Sequence, residues 1–212
     1  MRERLVAGLF VVVCFLVSTP SGTAQVSEMP FEVGGLVTVI DLNDFHARVF
    51  PPSRGDSVVA GIGGRFAYNM NDYFAIDGEV SFFPKNQIDN VEFGQKIQGL
   101  IGLKAGVRKK WGGVFAKARP GVLWFGDLPS RGNCNITSFG SVCDVSHEKS
   151  FAMDVGGVIE FYPTKRLIVR GDVGDTIIHY SRRVLGIQSV PVTINAETKH
   201  NLQLTFGIGW RF

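Results

Sequence analysis

The segment Lys199 to Phe212, K-H-N-L-Q-L-T-F-G-I-G-W-R-F, alternates between apolar and polar residues up to its last residue. From Leu202 onward, Leu, Leu, Phe, Ile, Trp and Phe occupy one parity, and Gln, Thr, Gly, Gly and Arg occupy the other. This period-two pattern predicts a β-strand with one apolar and one polar face. The segment is longer than a typical globular strand. It matches the roughly 9–11 residues with which a tilted strand crosses a bilayer.

Seven further alternating segments precede this one, and the connections between them alternate between long and short. The eight segments are 31–40, 58–69, 73–83, 97–109, 113–125, 151–162, 167–180 and 202–212. Short turns on one side and long loops on the other are typical of outer-membrane barrels. The sequence therefore predicts an all-β, eight-stranded, antiparallel, up-and-down transmembrane barrel. Its termini and short turns are expected in the periplasm, and its four long loops outside the cell.

The N-terminal residues are typical of a secretory signal peptide. Arg2 and Arg4 precede an apolar stretch from Leu5 to Val17, and small residues follow up to Ala24. The apolar stretch is too short for a membrane-spanning helix. We therefore predict a cleaved signal peptide over 1–24, export by the general secretory route, and a barrel domain over 25–212. The formal net charge of +3 is small and spread along the chain, and it indicates no nucleic-acid partner.

One parity of the predicted strands holds nearly all of their charges. These residues are Glu32, Arg65, Asp77, Glu79, Lys104, Arg108, Lys117, Arg119, Asp154, Glu160, Arg170, Asp172 and Arg211. Side chains fill the interior of an eight-stranded barrel, and an unpaired charge buried there is costly. Because the six acidic and seven basic groups nearly balance, we expect a salt-bridged lumen and an apolar face toward lipid.

Aromatic residues near the strand ends support the same orientation, because membrane barrels carry an aromatic girdle at each interface. The turn-side group comprises Tyr68, Tyr73, Phe74, Trp111, Phe115, Phe161, Tyr162, Trp210 and Phe212. The loop-side group comprises Phe82, Phe83, Trp124, Phe125, Phe151 and Tyr180. Both groups are predicted to mark the edges of the hydrocarbon band.

Two motifs resemble those of a known family. Thr205, Gly207, Trp210 and Phe212 are spaced as in the C-terminal sorting signal of bacterial outer-membrane barrels, and the segment from Phe115 to Gly121 is similar to one frequent in the fifth strand. The whole of 25–212 resembles the small outer-membrane β-barrel superfamily, the OmpA transmembrane-domain and OmpX-like group. The resemblance implies a location in a Gram-negative cell envelope. It also implies outer-membrane lipids and the barrel-assembly machinery as partners, but it fixes no function.

The longest predicted loop, Gly126 to Ser150, contains Cys134 and Cys143. A close pair of cysteines in an exported protein is typical of a disulfide. This bond would hold the segment between them in a compact tip. The extracellular loops are therefore the candidate contact site for a surface ligand.

Three functions remain open on the sequence alone, and the first is favoured. It is a structural or surface-interaction role that needs no cofactor, metal or catalytic residue. The second is an outer-membrane lipid hydrolase similar to lipid A deacylases, built on His179 and Ser181 with Asp175 or Glu197 as the acid. The third is a narrow ion channel. The histidines, which are His46, His147, His179 and His200, show no spacing that predicts a metal site.

Overall fold

The computed structural model describes residues 29–42, 57–88, 91–137, 140–187 and 190–212. For 57, 86–88, 91–93, 127–137, 140–148, 183–187 and 190–194 only the backbone is described. The predicted signal peptide, 1–24, and His46 lie outside these residues. The strands are β1 (Phe31–Leu42), β2 (Ser57–Asn69), β3 (Phe74–Phe83), β4 (Asn86–Ile88), β5 (Val91–Phe93), β6 (Lys96–Lys109), β7 (Gly112–Thr137), β8 (Gly140–Phe161), β9 (Leu167–Tyr180), β10 (Arg183–Ile187), β11 (Val190–Ile194) and β12 (Glu197–Arg211).

Eight of these strands form one closed antiparallel barrel, in the order β1, β12, β9, β8, β7, β6, β3, β2. Following paired residues once around the barrel from Gly209 leads to Lys199 on the same strand, a displacement of ten residues. The row is Gly209, Gly34, Arg65, Glu79, Leu100, Gly121, Ala152, Ile178 and Lys199. Eight strands with this displacement tilt by roughly 40° and leave room inside for side chains alone. The predicted eight-stranded barrel is confirmed.

The short turns and both ends of the described chain lie at one end of the barrel, which we call the turn end. The turns connect β2 to β3, β6 to β7 and β8 to β9. At the same end, Phe31 and Phe212 exchange backbone hydrogen bonds of 3.1 and 2.9 Å, which close the seam between β1 and β12. The opposite end, where the long connections emerge, is the loop end. No helix in the described part of the chain is long and apolar enough to span a membrane.

The alternation in the sequence becomes two faces of the barrel wall. In β12, Leu204, Phe206 and Ile208 are about half exposed on the outside, whereas Gln203 and Thr205 are buried inside. In the other strands as well, the parity that contains the charges faces inward and the opposite, apolar parity faces outward. A soluble barrel would bury its apolar face, so this arrangement suits a lipid solvent.

The predicted aromatic girdles are only partly correct. At the turn end, Phe31, Tyr68 and Phe212 form an outward cluster with ring centroids 5.1 and 6.1 Å from Phe31. However, the structure places Phe115, Tyr162, Phe83, Phe125 and Tyr180 in the lumen, each at most 9% exposed. These five share the parity of the interior charges, and parity determines which way a strand side chain points. The distance of a residue from the end of its strand does not determine this direction.

The predicted long loop, Gly126 to Ser150, is also wrong as a loop. Strands β7 and β8 continue past the barrel as an antiparallel hairpin, with register shifts between Phe125 and Leu128 and between Pro129 and Cys134. We call the part of this hairpin from Gly126 to Lys149 the arm. The arm continues past the barrel wall, and its strand β7 also contacts β5 and β10. Two smaller hairpins, β4 with β5 and β10 with β11, form in the neighbouring connections.

Candidate functional site

The lumen contains two groups of charged side chains, and Arg119 lies at the centre of the first. Its Nε donates to Asp154 Oδ2 at 3.0 Å, and its Nη1 donates to Asp77 Oδ2 at 3.0 Å and to Glu79 Oε2 at 2.8 Å. The residue is fully buried. A guanidinium presents five donors in a rigid fork, which allows one side chain of β7 to connect three carboxylates from two other strands, β3 and β8.

Arg170 and Lys117 complete this central cluster. Arg170 makes a two-pronged contact with Asp77, at 2.8 and 2.7 Å, and also donates to Asp172 at 2.9 Å. Lys117 lies 2.7 Å from Asp154 and 3.6 Å from Asp172. The central cluster therefore comprises Asp77, Glu79, Lys117, Arg119, Asp154, Arg170 and Asp172. Its three cations face four carboxylates.

The turn-end cluster has the opposite balance. It comprises Glu32, Arg65, Lys104, Arg108, Glu160 and Arg211. Four cations thus face two carboxylates. Arg170, whose Nη1 lies 3.8 Å from Glu160 Oε1, connects the two clusters. All thirteen charged residues singled out from the sequence belong to one cluster or the other.

Asn69 and Tyr162 complete the turn-end cluster; Asn69 was not predicted from the sequence, and Tyr162 was predicted for the aromatic girdle instead. Tyr162 donates to Glu160 Oε2 at 2.7 Å and accepts from Arg108 Nε at 3.1 Å. Asn69 donates to Glu32 Oε1 at 2.9 Å and accepts from Arg108 Nη2. Together these side chains close the turn-end mouth.

Toward the loop end, the lumen becomes polar and then mostly apolar, with Lys96 buried on the strand between Phe83 and Phe125. Thr38 lies within hydrogen-bond distance of Ser81 and Thr205, and Gln203 accepts from Gln98 at 3.0 Å and from Thr176 at 2.7 Å. Beyond these neutral groups lies the apolar plug, a cluster of Ile40, Leu42, Val59, Phe83, Leu100, Leu123, Phe125, Ala152, Ile178 and Tyr180. Each member is at most 3% exposed. The plug was missed because residues of the charged parity were expected to be polar throughout.

Glycines make room for the largest interior side chains. A Cβ added at Gly61 would lie 2.6 Å from the Phe83 ring, and one at Gly113 would lie 2.5 Å from the Phe115 ring. A Cβ at Gly174 would lie 2.4 Å from Asp154 Oδ1. Contacts this short are not tolerated in close-packed interiors. Interior glycines are therefore part of the packing of this narrow lumen.

Two residues of the catalytic arrangement considered from the sequence, His179 and Asp175, contact β12. On the outer face of β9, His179 Nδ1 lies 3.0 Å from Thr198 Oγ1. Asp175 instead contacts His200 Nδ1 through Oδ2 at 2.6 Å and accepts from the backbone N–H of Asn201 through Oδ1 at 3.1 Å. Both carboxylate oxygens of Asp175 are therefore bound to β12. The Asp175 and His200 pair, on adjacent strands, was not predicted.

The remaining predicted residues lie in three places. Thr205 lines the lumen, and Gly207 is packed so closely that an added Cβ would lie 2.9 Å from Gly35 O. Trp210 and Phe212 face outward at the turn end and are 50% and 56% exposed. Cys134 and Cys143 are paired directly across the arm in the backbone register, and their side chains lie outside the described part of the structure. Within the described residues, no three His, Cys, Asp or Glu side chains converge as metal ligands would.

One solved structure of an outer-membrane protein shares this fold, and two others are less similar to it. Neisserial surface protein A is 12% identical over 86% of this chain and 97% of its own, with a TM-score of 0.59. Ail of Yersinia pestis, solved with the heparin analogue sucrose octasulfate, is 9% identical over 86% of this chain and 97% of its own, with a TM-score of 0.47. The outer-membrane protease OmpT of Escherichia coli is 8% identical over 90% and 99%, with a TM-score of 0.46.

At such identities structural likeness establishes the fold alone. No curated protein is significantly similar in sequence to this chain. The sequence profile of the outer membrane protein beta-barrel domain, however, matches residues 9–212, which is nearly the whole chain. With its closed eight-stranded barrel and apolar exterior, the chain therefore belongs to the outer membrane protein beta-barrel domain family.

Proposed function

We propose that this protein is a closed outer-membrane barrel that serves as a structural element of the membrane and displays its arm for contacts outside the cell. The observation that carries this proposal is the filled lumen. Two charged clusters, a belt of neutral polar groups and an apolar plug follow one another from the turn end to the loop end. A pore needs a continuous wet path, and the plug members are almost completely buried.

The two kinds of filling oppose conduction for different physical reasons. In the charged clusters, each group that moves to admit an ion leaves a buried partner unpaired, which costs several kcal/mol. In the plug there are few polar groups to replace the hydration shell of an ion, and apolar constrictions block pores by excluding water. An ion would have to overcome both barriers in series. The narrow-channel alternative is therefore less well supported than the closed barrel.

Planar-bilayer recording tests the closed state directly. The wild-type barrel should give no steady conductance steps. The matched control replaces Phe125 and Tyr180 with Ser, since their rings are 6.1 Å apart in the plug and each residue is 1% exposed. The control should conduct more than the wild type if the plug is the outer barrier. Steady conductance by the wild type at neutral pH would overturn the proposal.

The orientation is part of the same proposal. The short turns and the chain ends would face the periplasm, with the leader removed after export, and the arm would project outside. Single cysteines introduced at Trp111, in a turn, and at Arg183, in β10, provide the test in a background without Cys134 and Cys143. An impermeant thiol reagent applied to intact cells should label position 183 and spare position 111. The reverse pattern would reverse the orientation.

The arm is the feature best placed for a surface contact. It projects from the barrel as a two-stranded hairpin, so the backbone groups along its outer edges can pair with an added strand. Deleting 127–148 should leave a folded barrel while removing the binding of cells to their surface ligand. Loss of the folded barrel on deletion would mean that the arm is part of the scaffold instead.

A lipid hydrolase is the second candidate, and one observation favours it. Asp175 and His200 form a 2.6 Å pair on the outer face of the barrel near the loop end, where outer-leaflet lipid would be within reach. Asp and His in this relation can orient and activate a general base. Mass spectra of lipid A from cells with and without the protein test this role. A mass shift that disappears in a His200→Ala variant would establish the hydrolase and displace the structural proposal.

A further inference from the structure

Among the described residues, Arg65 is the one cation of the turn-end cluster whose guanidinium nitrogens make no hydrogen bond. Its side chain is 2% exposed, and Nε, Nη1 and Nη2 donate no hydrogen bond within the described chain. Its nearest carboxylate oxygens, Glu32 Oε2 and Glu160 Oε1, are both 3.9 Å from Nη1. That separation is too long for a hydrogen bond. A buried guanidinium without an accepting partner is strongly unfavourable.

The carboxylates fail to reach Arg65 because other donors hold them. Glu32 Oε1 accepts from Arg211 Nη2 at 2.7 Å and from Asn69 Nδ2 at 2.9 Å. Glu160 accepts from Lys104 through Oε1 and from Tyr162 through Oε2. Four cations thus compete for two carboxylates, and Arg65 is the one that obtains no hydrogen bond. The shortage follows from the composition of the cluster, since each carboxylate already binds another cation.

The wall around Arg65 is shaped to hold the guanidinium in this position. A Cβ added at Gly34 would lie 3.2 Å from Nε, and one at Gly209 would lie 2.8 Å from Nη2. The two glycines face each other across the seam between β1 and β12. The guanidinium therefore rests against bare backbone, and any side chain at these two positions would crowd it. Arg65 occupies a built site in the wall of the lumen.

We propose that the turn-end cluster binds one small monovalent anion of chloride size at the Arg65 guanidinium. The charge of the clusters supports both the site and the valence. The turn-end cluster carries an excess of two positive charges, and the central cluster carries an excess of one negative charge. One monovalent anion brings the thirteen-group network to neutrality. A doubly charged anion would be repelled more strongly than a monovalent one by Glu32 and Glu160, which both lie 3.9 Å from Nη1.

Access to this anion site is from the turn end. Arg108 covers that mouth with a side chain that is 7% exposed and is held by Tyr162 and Asn69. An anion that enters from the turn end passes the guanidinium of Arg108 before it reaches that of Arg65. The rival occupant is water, which would bridge Arg65 to the unpartnered Oε2 of Glu32. Water and a bound anion differ in one measurable respect, because only the anion makes stability depend on which salt is present.

Urea unfolding of the refolded barrel in lipid vesicles tests the site. Sodium gluconate is replaced stepwise by sodium chloride at fixed ionic strength, so that general screening stays constant. For the wild type, the urea midpoint should rise with chloride and then saturate, as expected for binding to the folded state. Arg65→Met should lose this rise. Arg166→Met is the control, because it removes an exposed cation outside the lumen, leaves the charge of the network unchanged and should keep the rise.

A crystallographic measurement covers the case in which Arg65→Met does not fold. Crystals of the wild type grown in sodium bromide should show an anomalous peak within contact distance of the Arg65 guanidinium and none beside Lys117. A wild-type midpoint that is equal in chloride and gluconate, or crystals without such a peak, would show that water alone occupies the site and would overturn the proposal. A chloride-dependent rise that persists in Arg65→Met would place the anion elsewhere and would overturn it equally.

Discussion

Replacing Arg119 with Leu should destabilise the barrel more than any other single loss of charge in the lumen. The side chain is fully buried, and its hydrogen bonds reach Asp77, Glu79 and Asp154. Its removal changes the central cluster from three cations and four carboxylates to two and four. Leu fills part of the same volume, so the lost electrostatic contacts dominate over any cavity.

The expected loss of unfolding free energy follows from which carboxylates keep a partner. Asp77 retains Arg170, and Asp154 retains Lys117 at 2.7 Å. Glu79 retains only hydroxyl contacts, from Ser81 at 3.1 Å and Thr38 at 3.4 Å. One carboxylate of three therefore loses its only cationic partner, so one broken pair sets the scale. That cost is about 3–5 kcal/mol.

A companion substitution separates charge from packing. Glu79→Gln removes the single excess negative charge of the central cluster, and its amide oxygen can still accept from Ser81 and Arg119. Its cost should be about 1 kcal/mol, the value of one weakened hydrogen bond. Combining Glu79→Gln with Arg119→Leu should restore part of the loss, because the carboxylate left unpaired by the Leu is then absent. This coupling is the signature of a buried pair.

Equilibrium urea unfolding in lipid vesicles measures these differences, with tryptophan fluorescence and the heat-modifiable gel band as two independent signals. Arg166→Leu is the surface control, because Arg166 is exposed in the turn before β9. It should change the unfolding free energy by less than about 0.5 kcal/mol. If Arg119→Leu costs no more than this control, water reaches the central cluster. The argument for a closed lumen would then be refuted.

Three further predictions concern other parts of the molecule. Gly102→Ala should lower the unfolding free energy by about 1–3 kcal/mol through overpacking, because its Cβ would lie 2.0 Å from Ala118 O. Gly171→Ala, whose Cβ would have no atom within 4 Å, should change it by less than about 1 kcal/mol. Urea midpoints compare the two variants, and equal costs would contradict the packing account. Cys134 and Cys143 should form a disulfide in the exported protein, since directly opposed residues in an antiparallel pair lie about 4.5–5.5 Å apart at Cα; non-reducing peptide mass mapping that finds two free thiols would rule it out. Deleting Phe212 should reduce the folded barrel in the membrane, as seen in loss of the heat-modifiable band, and unchanged assembly would exclude its role in sorting.

The barrel could be predicted from the sequence because its physical basis is local. A strand that separates lipid from a packed lumen must alternate at every position, and β12 does so from Leu202 to its end. Parity alone also assigns Phe125 to the lumen, since it shares the parity of Arg119. The prediction for Phe125 was wrong because nearness to a strand end was given more weight than parity. The arm escaped prediction for the opposite reason, because a hairpin outside the barrel need not bury either face and so needs no alternation.

The partners of the charged residues could not be predicted, because they depend on the displacement and tilt of the whole barrel. Arg170 of β9 binds Asp77 of β3, and Lys104 of β6 binds Glu160 of β8. Neither pair lies on neighbouring strands, so these contacts exist only after the barrel has closed. From the sequence alone, six acidic and seven basic groups predict near-complete pairing, because their numbers nearly balance.

The local division of these charges matters more than their total. Interactions between charges weaken with distance and are strongest in dry surroundings. The excess of positive charge in the turn-end cluster is therefore only partly offset by the excess of negative charge in the central cluster. In the closed lumen the charges of the central cluster are paired, because Arg119 binds three carboxylates there. It leaves the surplus of positive charge at the turn end, around Arg65. Closure of the turn end and the unpaired guanidinium are thus two consequences of one arrangement, because the contacts that seal this end use Glu32 and Glu160, the carboxylates nearest to Arg65.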